Sequence, residues 1–137
     1  MDGLLGAVWL YSADVERAAR FYEESVGLRP VGREGDVAHF DCGNIRLSLH
    51  PGTAAVGGFL VFVVDDAAAE HTAMRARGVE FVSEPHREEF GGLVAEFRDP
   101  DGHELYIWQL PDDSDPAWDD IRPLADHYGR LRAALET

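Results

Sequence analysis

One local plan occurs twice in this chain, and that repeat limits the fold more than any other feature. The first copy runs Asp14-Val15-Glu16-Arg17-Ala18-Ala19-Arg20-Phe21-Tyr22 and closes at Gly27-Leu28-Arg29-Pro30-Val31. The second runs Asp65-Asp66-Ala67-Ala68-Ala69-Glu70-His71-Thr72-Ala73 and closes at Gly78-Val79-Glu80-Phe81-Val82. A constant offset of 51 pairs Asp14 with Asp65, Ala18 with Ala69, Gly27 with Gly78 and Val31 with Val82. In each copy an apolar strand reaches an Asp suited to cap a helix, and a Gly ends that helix before another strand. Two similar halves packed together would place function in the space between them.

Leu4 to Tyr11 reads as a buried strand, and Val15, Ala18, Ala19, Tyr22 and Val26 follow helical spacing up to Gly27. Leu28–Arg33, Val37–Asp41 and Ile45–His50 read as strands joined at Gly35-Asp36 and Gly43-Asn44. After a small-residue linker, Phe59–Val64 reads as a strand covered on both faces. A helix capped by Asp65 or Asp66 runs to Arg77, and strands follow at Val79–Ser83, Leu93–Arg98 and Glu104–Leu110. Asp99-Pro100-Asp101-Gly102 forces the last turn, because proline fixes one backbone angle and glycine accepts positive φ. The fold class is therefore α+β, with two βαβββ modules (1–52 and 58–110) of curved mixed sheets forming a cleft. Residues 111–137 add an acidic linker and a C-terminal helix. Pro123 is placed at that helix's first position, and a Leu124, Tyr128, Leu131, Leu135 stripe should bury against protein.

Composition narrows the function. Among 137 residues, 26 acidic against 12 basic side chains leave a formal charge of −14, which repels phosphate backbones and argues against nucleic-acid partners. Much of the excess is local, at Asp112, Asp113, Asp115, Asp119 and Asp120. No apolar run reaches the roughly 20 residues that span a bilayer, so no membrane partner is expected. The start of the chain lacks signal-peptide features, and Cys42 is alone, which together point to the cytoplasm. Cys42 lacks a basic neighbour to lower its pKa, so it reads as packing. No Gly-rich phosphate loop or Ser-His-Asp arrangement is recognisable.

Asp14 through Tyr22 with Gly27-Leu28, and Asp99-Pro100-Asp101-Gly102 followed by a strand, resemble the vicinal oxygen chelate superfamily. That group includes glyoxalase I, bleomycin-resistance proteins and extradiol dioxygenases. The resemblance covers most of residues 4–110 and implies a cleft whose strands carry His, Gln and Glu ligands for a divalent metal. The matching positions here are Ala7, Ser48, Phe59 (Gly58 with a one-residue shift) and Tyr106. None offers a usual ligand, so neither a metal nor another cofactor is expected. Glu104 is the nearest substitute, and one carboxylate without a nearby His makes a poor transition-metal site. His39, His50, His71, His86, His103 and His127 share no convergent ligand spacing and read as surface or locally bonded residues.

Strand alternation lets the cleft lining be inferred from those positions. Ala7 brings Trp9 and Tyr11 with it, and Phe59 brings Val61 and Val63. Tyr106 brings Glu104 and Trp108, and Ser48 brings Arg46 and His50. The expected ligand-binding set is Trp9, Arg46, Ser48, Phe59, Glu104, Tyr106 and Trp108, and no catalytic residue is assigned. Aromatic walls with a few polar handles suit a small planar or cationic ligand. The resemblance then implies a metal-free binding protein that sequesters such a ligand, as bleomycin-resistance proteins do. The alternatives are a metal-free acid–base enzyme using Glu104, Tyr106 or a His, and a metal-dependent lyase or dioxygenase with displaced ligands. Whether the cleft forms within one chain or across a homodimer is left open.

Overall fold

The computed structural model describes residues 7–53 and 60–136. They divide into two units, one holding 7–53 with 99–103 and the other 60–98 with 104–136. The first unit contains β1 (Ala7–Ser12), α1 (Val15–Arg20), a π-helical turn (Phe21–Val26), β2 (Arg29–Glu34), β3 (Val37–Asp41) and β4 (Arg46–Pro51). Its four strands form one mixed sheet in the order β1-β4-β3-β2, with β1 parallel to β4 and the other pairs antiparallel. The second unit contains β5 (Leu60–Val64), α2 (Ala67–Ala76), β6 (His86–Arg87), β7 (Leu93–Arg98), β8 (Glu104–Gln109) and α3 (Trp118–Leu135). Its sheet repeats the order as β5-β8-β7-β6, with β5 parallel to β8. These are the expected paired βαβββ units and C-terminal helix.

α1 and α2 each cover one face of their own sheet. Ala18, Ala19 and Tyr22 meet Ala38, Phe40, Leu47 and Leu49 in one core. Ala67, Met74 and Val79 meet Ala95, Phe97, Leu105 and Ile107 in the other. Because side chains alternate along a strand, the remaining residues of β4 and β8 are left on the opposite face.

The helix ends show how the repeat is built. Asp14 accepts from the Arg17 amide at 3.1 Å, and Asp66, not Asp65, accepts from the Ala69 amide at 3.0 Å. Both caps have φ of −141°. The helices end at Gly27 and Gly78, with φ of 91° and 94°, a left-handed backbone that glycine adopts without a Cβ clash. Between cap and glycine the first copy is therefore one residue longer. The structure absorbs that residue in the π-helical turn. The Leu28 amide reaches six residues back to the Tyr22 carbonyl (2.8 Å), whereas the Val79 amide reaches five back to Met74 (3.0 Å). Tyr22 and Met74 are both buried at these equivalent points. The expected constant offset thus holds only after the turn, and the cap pairs with Asp66.

Four further expectations are corrected. Val79–Ser83 is not a regular strand. Phe81 bridges Phe97, the Val82 amide donates to the Glu96 carbonyl at 2.7 Å, and the Ser83 hydroxyl accepts from the Glu96 amide at 3.1 Å. A side chain thus takes the place of a ladder carbonyl, and the paired strand waits until His86–Arg87, just past Pro85. β5 is not covered on both faces, since Val61 is exposed. The last helix starts at Trp118 with Pro123 inside it, because Asp115 nucleates its entry by accepting from the Ala117 amide at 2.9 Å. Asp119 and Asp120 then favour the N-terminal end of the helix dipole. Finally, no residue of α3 is buried, and Leu124 and Leu135 of the expected stripe are exposed. The partly covered flank is Ile121, Ala125, Tyr128 and Leu131, and Arg132 pairs with Asp65. No helix among the described residues is long and apolar enough to cross a membrane.

Candidate functional site

The open face of the first sheet is set by register. Ala7 lies opposite Arg46, Trp9 opposite Ser48, and Ser48 opposite His39. Ser48 is fully buried, with its hydroxyl 2.7 Å from His39 Nδ1. Trp9 is more than half exposed and lies against the His50 ring at a centroid distance of 4.2 Å. Among the described residues the Nε2 atoms of His39 and His50 are buried without a hydrogen-bond partner, and Glu34 lies 3.9 Å from that of His39. Sequence reading assigned both histidines to surface or local roles. Their place on this face follows from the His39–Ser48 register and from alternation between Ser48 and His50.

The open face of the second sheet is more apolar. Trp108 is 8% exposed, and its indole N–H donates to the Gly91 carbonyl at 3.1 Å. Phe90 packs edge-on against Trp108, with ring centroids 5.8 Å apart. The turn that brings Phe90 there needs glycines. A Cβ on Gly92 would sit 2.2 Å from the Gln109 carbonyl and 2.7 Å from Trp108 Nε1. Asp115 braces the same turn by accepting from the Gly92 amide at 3.3 Å and pairing with Arg87 at 2.8 Å. Those contacts, the Arg87 hydrogen bond foremost, hold the Asp115 carboxyl down to about 2. Val61, Glu88, Phe90, Val94, Tyr106 and Trp108 line an open cavity of about 440 Å³.

At its border the Tyr106 hydroxyl donates to Glu96 at 2.7 Å and lies 3.3 Å from Glu104. The Glu96 hydrogen bond, with burial and both carboxylates, pushes the phenol up to about 12. Tyr106 therefore stays protonated at neutral pH and cannot serve there as a base. Arg98 closes the group at 3.0 Å from Glu96, whose carboxyl is held low chiefly by the Tyr106 hydrogen bond.

Of the expected site residues, Trp9, Arg46 and Ser48 thus lie on the first sheet and Glu104, Tyr106 and Trp108 on the second. Phe59 lies outside the described residues. Tyr106 and Trp108 line the cavity, and Glu104 stands beside it through Tyr106. Glu88, Phe90 and Val94 line the same cavity and were not among the expected residues, although the Gly91-Gly92 pair after Phe90 marks a close backbone approach.

The positions that would carry the metal implied by the resemblance do not fit one. Ala7 offers a methyl group, the Ser48 hydroxyl is engaged with His39, and Tyr106 is a phenol kept protonated by carboxylates. Asp99, Asp101 and His103 bring donor atoms within 4.8 Å of one another, but both carboxylates and His103 Nδ1 are already engaged. The Asp99 carboxylate accepts from the Tyr22 hydroxyl (2.7 Å) and from the Asp101 and His103 amides (3.0 and 2.9 Å), and lies 2.6 Å from His103 Nδ1. Asp101 accepts from the Ser12 hydroxyl at 2.6 Å and the Ala13 amide at 3.0 Å. That group is a structural knot at the turn.

Two βαβββ units with these caps and this turn define a class of proteins built on a repeated four-stranded sheet. A family model of the Glyoxalase/Bleomycin resistance protein/Dioxygenase superfamily matches residues 4–107, and the chain belongs to that superfamily. It is 31% identical over 112 residues to the Bacillus subtilis (strain 168) protein YetH, covering 72% of this chain and 92% of YetH. A glyoxalase/bleomycin resistance protein/dioxygenase from Nocardioides shares the fold at a TM-score of 0.70 and 19% identity, over 85% of this chain and 89% of that one. Lactoylglutathione lyase from Agrobacterium tumefaciens does so at a TM-score of 0.67 and 23% identity, over 80% and 94%.

Proposed function

We propose that this protein is a metal-free receptor that sequesters a small planar or cationic organic molecule, in the manner of the resistance proteins of its superfamily. The observation that carries the reading is the cavity of about 440 Å³ beside Trp108, walled by Val61, Phe90, Val94 and Tyr106. Apolar walls with a few fixed polar groups are what a small-molecule site requires. Trp108 is held by the Gly91 carbonyl and is ready to stack without reordering, which limits the entropy lost on binding. The net charge of −14 supports cationic over anionic ligands and argues against nucleic acid.

Screening a small-molecule library by thermal shift tests this directly, because a ligand of the native state raises apparent stability by mass action. Hits should quench or shift tryptophan fluorescence, lose that effect in Phe90→Ala, and be recovered unchanged after long incubation. Hits whose signal survives both Phe90→Ala and Val61→Asp would place binding elsewhere and overturn the reading. A hit recovered as a different compound would favour the enzymatic alternative. That alternative draws on one observation, the His39 ring nitrogen 2.7 Å from the Ser48 hydroxyl.

A further inference from the structure

Among the described residues, the cavity beside Trp108 has one charged side chain in its lining, Glu88, and that side chain is already occupied. His86 Nε2 lies 2.7 Å from Glu88 Oε1, and His86 Nδ1 lies 2.9 Å from the Glu84 carbonyl. Both ring nitrogens thus face acceptors. A neutral imidazole has one N–H and can satisfy only one of them, whereas the imidazolium satisfies both. Resting on the receptor reading above, we propose that Glu88 is the residue that selects organic cations in this cavity. His86 is the internal cation that a ligand must displace.

Chemistry at the rest of the cavity agrees. The faces of Trp108, Tyr106 and Phe90 can hold a cation, and a carboxylate at the edge supplies the opposite charge. The charged groups around the pair are otherwise committed. On the same segment Arg87 is bound to Asp115; on β7 Arg98 is bound to Glu96. Glu84 and Glu89 beside it, and Glu104 on β8, are acids and add negative potential without competing for Glu88. His86, when its ring is protonated, is therefore the cation in contact with Glu88. The Glu84 carbonyl and Glu88 raise its pKa above the ordinary histidine value.

The sign follows. At low pH the imidazolium sits on Glu88 and a ligand cation must replace it. As pH rises through the histidine titration, His86 loses a proton, the ion pair ends, and Glu88 becomes available. Cation affinity should therefore rise with pH, although no ligand group titrates.

The test uses N-methylquinolinium, a permanent cation, and 1-methylnaphthalene, its neutral isostere, with tryptophan quenching as readout. From about pH 5.5 to about pH 8.5, N-methylquinolinium affinity should rise by up to about fivefold, the scale of an exposed ion pair, while 1-methylnaphthalene affinity stays constant. His86→Gln should fix the cation affinity at its high-pH level. Glu88→Gln should hold it at or below its low-pH level and leave the neutral probe unaffected. Both variants alter half-exposed side chains, and their melting temperatures serve as a folding check. A flat cation profile in the parent protein, or a rise that survives either substitution, overturns the inference while leaving the receptor reading intact. Failure of both probes to quench overturns the receptor reading, and this inference with it.

Discussion

The two units share strand order, helix caps and closing glycines, yet their open faces have become chemically different. The first face is polar at its centre, with the Ser48 hydroxyl on His39 and Trp9 lying outward against His50. The second is apolar around Trp108, which is turned inward, bonded to Gly91 and flanked by Phe90, Val61 and Val94, with its polar group set at the border around Tyr106 and Glu96. What stayed constant is what the backbone needs. The caps satisfy amides that have no partner in the first turn, and the glycines supply a left-handed φ. Side chains on the open face carry no such duty, and there the repeat has been free to diverge.

The largest test of this contrast is at the turn knot of the first unit. Asp99→Ala leaves the buried Tyr22 hydroxyl without its acceptor and removes a side chain that is fully buried. Chemical denaturation should show a loss of about 3–5 kcal/mol, the scale of breaking a buried charged network. A loss under about 1 kcal/mol would mean that the knot is ornamental.

Next come the two tryptophans. Trp108→Ala should cost about 3 kcal/mol because it empties a packed site, whereas Trp9→Ala, at a residue 58% exposed, should cost under about 1 kcal/mol. Equal costs would erase the difference drawn between the faces.

The smallest effect is in alkali. Burial against Asp99 keeps Tyr22 un-ionised in the folded protein far beyond the ordinary tyrosine range. The unfolded chain ionises near pH 10, so this contribution is intact below that pH and fades above it. Stability should fall with a slope that Tyr22→Phe reduces by about 1.4 kcal/mol per pH unit above about pH 10. Urea titrations at successive pH values read that slope, and an unchanged slope in the variant would show that Tyr22 ionises freely.

Much of this fold was legible because its signals are local. Asp14, Gly27, Gly78 and the Asp99-Pro100-Asp101-Gly102 turn act on their own neighbours, and β3 and β7 occupy the expected residues. Val79–Ser83 misled because its apolar pattern does not reveal that Ser83 would take a backbone position in the ladder. Pro123 misled because Asp115 starts the helix upstream of it. Of the cavity's lining, strand alternation made Tyr106 and Trp108 legible, but Glu88 and Phe90 arrive by a glycine turn that no strand period encodes.

The π-helical turn at Phe21–Val26 resembles a dislocation in a crystal. One surplus element is present, and the misfit is confined to a few positions while order resumes on both sides. Asp14 upstream, and Tyr22 near the start of the turn, keep step with Asp66 and Met74, and downstream Gly27 and Leu28 keep step with Gly78 and Val79. Such a defect can take up a change of chain length without transmitting it. Deleting one residue within the turn should heal the helix into the shorter form its counterpart already has, whereas an equal deletion in α2 has no reservoir to draw on and must displace either its cap or its glycine.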